Sequence, residues 1–431
     1  AIDLKDLGYI ITGSDDEIYD PSRSRLEKYG LLPSKMGWDA SRITNDIDAV
    51  ILGKHARKEN PELIRALELG IPVMSFPEFI AANISASTRV CIAGSHGKTS
   101  TTAMIMHVLR DLNYTFDYLV GAQLEGFEKM VSMSNEDILL VEGDEYPSSA
   151  LDLRAKMWHY KPTIAVITGM AWDHVNIYKS YASYKQVFRD FLNTMIEQGI
   201  CFFDQSDDEL NAMMQQEIFR VKRQSYKAFK VNKKSEIIYE DKLYPVRIFG
   251  RHNMLNLSAA WKVCEKLGIQ AEEFFASIAS FKGASKRLEL IYDNGELRVY
   301  RDFAHAPSKC QASLDAVRQK YPDKKIKAIL ELHTFSSLDI DYIKNYGGTM
   351  NKADMPIVFY DRHALDMKKM PDLDPDAVKN CFDNDVLQVL TKSAELDRQM
   401  HASLDDGTEV LLIMSSGTLG GNKMHYFKET E

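Results

Sequence analysis

In the run Val90-Cys91-Ile92-Ala93-Gly94-Ser95-His96-Gly97-Lys98-Thr99-Ser100-Thr101-Thr102, an apolar segment ends in a glycine turn that opens onto a lysine and a row of hydroxyls. A helical pattern follows, with Met104, Val108 and Leu112 on one face and Ile105 and Leu109 beside them. Strand, glycine loop, lysine, hydroxyl and helix together make a holder for a nucleoside triphosphate. Backbone N–H groups of such a loop point inward, and the start of the helix adds partial positive charge. Lys98 would reach the β- and γ-phosphates and Thr99 would ligate Mg²⁺. The spacing Gly-x-x-Gly-Lys-Thr is two residues shorter than the general phosphate loop. An ordinary strand-to-helix turn is the alternative.

Other chemistry-bearing residues sit where apolar runs end. Ile138-Leu139-Leu140-Val141 leads into Glu142-Gly143-Asp144-Glu145-Tyr146. A buried strand that ends in carboxylates can supply a second Mg²⁺ anchor, since this hard cation takes oxygen ligands; a solvated acidic turn is the alternative. Thr163–Thr168 leads to Trp172-Asp173-His174, where His174 is either a ligand or a structural histidine. Phe249-Gly250-Arg251-His252-Asn253-Met254-Leu255-Asn256 opens a helix carrying Ala259, Ala260, Val263 and Leu267. Its Asn carboxamides can read an adenine edge or merely cap the helix. Asp15, past the run Tyr9–Thr12, could hold a ribose or base, or serve a turn. The small-residue loop Ser415–Gly421 follows the last apolar run and could line a ligand cleft.

These residues need an α/β frame to bring them together. Residues 9–87 alternate short apolar runs with helical stretches. Tyr9–Thr12, Asp48–Leu52 and Ile71–Phe76 read as strands of a parallel unit. A helix between the last two is signalled by Asn60 as cap, Pro61 at the first position, Ile64, Leu67 and Leu69 as apolar residues, and Gly70 as terminator. Residues 288–431 read as another α/β unit, with strands at Leu297–Phe303, Ile326–Leu332, Ile357–Tyr360 and Val410–Met414. Lys282–Lys286 is the candidate linker before it. The opening Ala1–Tyr9 reads as a helix end closed by Gly8, so further sequence is expected ahead of it.

The bulk properties narrow the class. With 431 residues and 45% apolar content, the chain can bury several cores, and its length suggests roughly two to four domains. A net charge of −9 argues against a general binder of nucleic acid or of membrane surfaces. Cys91, Cys201, Cys264, Cys310 and Cys381 are scattered without a CxxC pair, which fits reduced thiols in a cytoplasmic protein. No apolar run reaches the length of a membrane span.

Taken together, Gly94-Ser95-His96-Gly97-Lys98-Thr99, Glu142-Gly143-Asp144-Glu145, Asp173-His174, Gly250-Arg251-His252-Asn253 and Asp302-Phe303-Ala304-His305 resemble, in order and spacing, the Mur ligases. These are ATP-dependent, amide-bond-forming ligases of the bacterial cell wall. The resemblance implies three α/β domains: a Rossmann-like UDP-sugar domain over 1–87, a P-loop ATPase-like central domain over 88–287, and a Rossmann-like amine-binding domain over 288–431. The glycine loop for the UDP pyrophosphate is expected ahead of residue 1.

The resemblance implies ATP and Mg²⁺ as cofactors. Gly94, Ser95, His96, Gly97, Lys98, Thr99 and Ser100 would cradle phosphates. Thr99, Glu142 and His174 would serve metal. Asn253 and Asn256 would hold adenine, Arg287 the phosphates, and Asp302 the ribose with His305 beside it. Lys98, His174 and Arg287 would be catalytic, and Asp15 and His333 would face substrate.

Within the family, the motifs after Glu145 and around Lys286-Arg287-Leu288 most resemble the branch that joins UDP-N-acetylmuramate to L-alanyl-γ-D-glutamyl-meso-diaminopimelate. His333-Thr334-Phe335-Ser336 is more like the L-alanine branch. Several positions depart from the family pattern, and the stretch Thr168–Trp172 carries neither the Asn nor the Glu usual before the Asp-His pair. Gly143 replaces an alanine, Ala306 stands where a second histidine is usual, and Ser337 stands where an arginine is usual. A nucleotide-binding regulator that has lost ligation is the non-enzymatic alternative.

Overall fold

The computed structural model describes the chain apart from residues 55, 84, 125, 173–176, 423 and 428–431. Four sheets follow one another along it. The first is a parallel pair, β1 (Val50–Leu52) and β2 (Val73–Ser75). Between them runs the helix Pro61–Glu68, started as the sequence predicts: the Asn60 side chain accepts from the N–H groups of Glu62 at 2.9 Å and Leu63 at 3.2 Å. Its buried face differs from the expected one. Leu63 and Ala66 are buried, while Ile64 and Leu67 are exposed. A count of large apolar residues overlooks alanine, yet Ala66 is the residue whose size permits close packing. The run Tyr9–Thr12 forms no strand. It has no ladder partner among the described residues, and Ile10 is 97% exposed.

The second sheet comprises β3 (Thr88–Ala93), β4 (Asp117–Leu119), β5 (Val131–Ser132), β6 (Ile138–Gly143), β7 (Ile164–Ile167), β8 (Ile200–Asp204) and β9 (Lys222–Tyr226). Its order is β5-β4-β6-β3-β7-β8-β9, parallel except for β4–β5. Both faces are covered over its centre, so the strands β3, β6 and β7 are largely apolar on both sides, while the edge strand β9 is polar and mostly exposed. Val90 and Ile92 of β3 and Ile164 and Val166 of β7 face one core, with the helices Lys98–Asp111 and Arg251–Lys266. Cys91, Ala93, Ala165 and Ile167 face the other, with Tyr184, Phe188 and Phe191 of the helix Tyr181–Thr194.

The third sheet is a small antiparallel one: β10 (Lys230–Val231), β11 (Glu236–Tyr239) and β12 (Lys242–Pro245). The fourth contains β13 (Glu289–Asp293), β14 (Arg298–Asp302), β15 (Ile326–Glu331), β16 (Met355–Phe359), β17 (Gln388–Leu390) and β18 (Val410–Met414). Its order is β13-β14-β18-β15-β16-β17, parallel except for β13–β14. The segment 282–288 between the third and fourth sheets has no regular structure and carries left-handed backbone at Gly283, Lys286 and Leu288.

All five cysteines are free thiols, four of them buried. Among the described residues, no helix is long and apolar enough to cross a membrane.

Replacing Asn60 with alanine removes the acceptor of two otherwise unpaired helix N–H groups. The expected cost is about 1 kcal/mol, read as faster hydrogen exchange at the Glu62 and Leu63 amides.

Candidate active site

Strand order places the site. β3 lies between β6 and β7, so the loop leaving β3 at Ala93 emerges between the C-terminal ends of both neighbours. Side chains alternate along a strand, which puts Glu142 on the same face as Leu140, toward the helix that begins at Lys98. Thr99 in its first turn donates to Glu142 Oε2 at 3.2 Å.

The loop requires glycine at two points. Gly94 (φ +122°) would press a Cβ to within 2.4 Å of Thr168 Oγ1 and 2.7 Å of the Thr168 amide N. Gly97 (φ +74°) would place one 2.1 Å from Asn256 Oδ1. The loop is also tied down from β7: Ser95 N–H donates to the Gly169 carbonyl, and the Thr168 hydroxyl donates to the Ala93 carbonyl.

The Lys98 ammonium donates to the Gly94 carbonyl at 2.6 Å and to Glu145 Oε2 at 2.8 Å. Burial works against this charge, but Glu145, Asp144 and Glu142 outweigh it and hold the pKa above the ordinary lysine value. Glu145 is fully buried and also receives the Tyr184 hydroxyl at 3.3 Å. It was not among the site residues read from sequence. The available signal was an acid three positions beyond Glu142, just past the end of a buried strand.

A cleft of about 750 Å³ opens over this loop. One wall holds residues 95–100, Glu142, Asp144, Asn253 and Asn256; the other holds Arg287, Asp302, Ala304 and His305. Asp302 shares the alternation of Tyr300 and turns toward the helix Pro307–Lys320. There it accepts from the Ala304 N–H at 2.8 Å and the Ser313 hydroxyl at 3.1 Å. Burial raises its pKa, with His252 and Arg287 opposing. The Arg287 guanidinium lies 5.0 Å from the Phe303 ring centroid. His96 Nε2 and Ser308 Oγ are 2.7 Å apart, joining the two walls.

Lys98, Thr99, Glu142, Asn253, Asn256, Arg287, Asp302 and His305 thus share one cleft, as the sequence predicts they should. Asn253 has one hydrogen-bonding group committed, its Nδ2 donating to the Phe249 carbonyl at 2.9 Å. Asp15 is exposed, lies in no regular element and is outside the cleft lining, its carboxylate accepting from the Asp16 N–H. His333 is half-buried and also outside that lining. His174 and Asp173 lie outside the described residues. Asp204, Ser206, Asp207 and Lys309 line the cleft without having been singled out from sequence, because each lies in no recognisable spacing.

The donor set fits Mg²⁺. Among the described residues, Glu142 Oε1 is buried without a hydrogen-bond partner, beside the Thr99 hydroxyl, which leaves a hard oxygen for a cation. Burial pushes the Glu142 pKa up, against the Gly121 N–H, Lys98, Thr99 and Arg287.

Residues 92–264 match the Mur ligase middle domain. The UDP-N-acetylmuramate–L-alanine ligase of Leuconostoc mesenteroides is 30% identical over 365 residues, 81% of this chain and 78% of that protein. The UDP-N-acetylmuramate–L-alanyl-γ-D-glutamyl-meso-2,6-diaminoheptandioate ligase of Escherichia coli is 29% identical over 345 residues, 78% of this chain and 76% of that protein. Among solved structures, UDP-N-acetylmuramate–alanine ligase of Thermotoga maritima matches with a TM-score of 0.68 at 20% identity, over 97% of this chain and 93% of its own. Its fold is shared across nearly the whole molecule.

A carboxyl whose folded pKa is raised costs stability as pH climbs from its unfolded value through the folded one. Glu142→Gln therefore melts higher than the parent at pH 7–8 when metal and nucleotide are absent. The two converge in acid, where Glu142 is protonated in both folded and unfolded chains. Melting curves across pH check this, and an unchanged difference at every pH would remove the account of Glu142 as a strained, metal-seeking carboxylate.

Proposed function

The chain belongs to the Mur ligase family of ATP-dependent, amide-bond-forming ligases of peptidoglycan synthesis, and we propose that it joins the lactyl carboxylate of UDP-N-acetylmuramate to the amino group of L-alanyl-γ-D-glutamyl-meso-diaminopimelate. The observation that carries this reading is the convergence of Lys98 and the Thr99–Glu142 pair on one cleft whose far wall holds Asp302 and His305. Residues 1–87 would take the UDP-sugar, 88–287 ATP, and 288–431 the amine. The compartment is the cytoplasm, where both nucleotides are made.

The chemistry follows from the difficulty of the bond. A carboxylate does not acylate an amine at neutral pH. A carboxylate oxygen attacks the γ-phosphorus, the bond to the β-bridging oxygen breaks, and ADP leaves with an acyl phosphate formed. The neutral amine then attacks the acyl carbon, phosphate departs, and the amine's proton is lost to solvent or a base.

The protein's part is positioning and charge neutralisation. The Lys98 ammonium and the Arg287 guanidinium offset charge on the moving phosphoryl group. Mg²⁺, held by Thr99 and Glu142, supplies further neutralisation of phosphate oxygens when bound. Asn253 and Asn256 would hold the base and Asp302 the ribose. Walls drawn from separate sheets exclude water from a hydrolysable acyl phosphate when they close.

L-Alanine as the amine is a second reading, favoured by the L-alanine ligases among the relatives, that of Leuconostoc mesenteroides being 30% identical. The two separate in a single assay. Phosphate release from Mg-ATP and UDP-N-acetylmuramate with the tripeptide alone establishes the first. Release with L-alanine alone establishes the second. Silence with both, despite ATP binding, leaves a nucleotide-binding regulator.

Lys98→Ala is expected to lower turnover by at least about a hundredfold. It also leaves the buried Glu145 carboxylate without its ammonium counter-charge, at a cost of about 3 kcal/mol or more. Adding Glu145→Gln should restore much of the melting temperature but none of the activity. Recovery of turnover in the double variant would sink the role given to Lys98.

A further inference from the structure

Beyond the end of β1, Lys54 stands with its ammonium 3.6 Å from the Tyr146 ring centroid. Tyr146 lines the cleft, as do Asp144 and Lys156 beside it. Lys54 is half-buried, and among the described residues it forms no hydrogen bond or ion pair. The carboxylates near it are already taken. Asp144 accepts from Lys156 at 2.8 Å, and Glu145 accepts from Lys98 at 2.8 Å.

The two carboxylates that act on Lys54 are thus each bonded to another ammonium group, and Lys54 is bonded to neither. A half-buried cation with only an aromatic face for company has given up hydration that the ring replaces only in part. Burial and the Lys156 charge both push its pKa down, against Asp144 and Glu145. Each of these costs is removed when an anion arrives.

We propose that Lys54, backed by Tyr146 of the cleft lining, binds an anionic oxygen of the nucleotide-sugar substrate and so fixes that substrate at the Tyr146 side of the cleft. This rests on the reading of the cleft as a ligase site. The anionic oxygen belongs to the substrate's carboxylate or its diphosphate, the two groups with the chemistry an ammonium takes. Lys54 is a binding and positioning group and takes no part in bond-making.

The test uses the full-length protein with Lys54→Met, which keeps an unbranched apolar stem over Tyr146, and Lys54→Arg, which keeps the charge. Melting curves confirm that both fold. Lys54→Met should raise KM for UDP-N-acetylmuramate by about tenfold or more, with KM for ATP unchanged and partial rescue by Lys54→Arg. Calorimetric titration with UDP-N-acetylmuramate, UDP-N-acetylglucosamine and UDP then locates the anion. Loss confined to the first points to the carboxylate, and loss on all three points to the diphosphate. Unchanged KM and affinities in Lys54→Met overturn the proposal while leaving the ligase reading intact. Binding that weakens in Lys54→Met without any turnover in the parent supports it and removes the ligase reading. A parent that binds none of the three overturns both.

Discussion

A buried ammonium must have a counter-charge, and in this molecule Lys98 has Glu145. The pair closes over the mouth of the phosphate loop, bridging from the loop's own Gly94 carbonyl to an acid just past the end of β6. Much of the local architecture serves to hold it. Tyr184 anchors the second carboxylate oxygen, and Tyr178 donates to the Glu145 carbonyl. The parallel sheet brings β3 and β6 side by side so that the two charges can meet. In the proposed function, the phosphates of a bound nucleotide would compete with Glu145 for the same ammonium. The resting loop is thus already shaped and charged for an anion, at the expense of one that the protein itself supplies.

The legible parts of this chain were those governed by local rules. Asn60, Pro61 and the helix after them follow from capping chemistry, and the loop at Gly94–Thr99 from the needs of a phosphate. The central strands β3, β6 and β7 of the second sheet and β15, β16 and β18 of the fourth stand out because burial makes them largely apolar runs, whereas β9 and β13, polar and partly exposed, do not. The illegible parts depend on what lies across space. Glu145 matters because Lys98 comes to it from 47 positions away. Lys54 matters because its neighbours' partners are already chosen. Neither fact is written in spacing.

The first sheet was legible in place, since β1 and β2 fall within the runs Asp48–Leu52 and Ile71–Phe76, but its faces were not. Its strands are three residues long, too short for alternation to announce a face. Leu63 and Ala66 pack inward while larger apolar neighbours remain outside, so bulk misleads there. Ser337, which stands in place of a usual arginine, is fully buried and bonded to Thr334 within its own turn. Its side chain is occupied in holding the backbone of the segment after His333, which makes the departure a structural one at that position.

The hydrogen bond between His96 and Ser308 has a wider meaning. His96 belongs to the phosphate loop, and Ser308 opens the helix that receives Asp302 through Ser313. A ligand that reshapes the loop must stretch or keep this bond, and a movement of the fourth sheet must do the same to the loop. Free energy passes equally in both directions through such a contact. In the proposed reading, an amine that shifts this contact would alter how tightly the triphosphate is held, and the triphosphate would alter the affinity for the amine by the same factor. Ordered substrate binding can be a thermodynamic linkage carried by one imidazole and one hydroxyl.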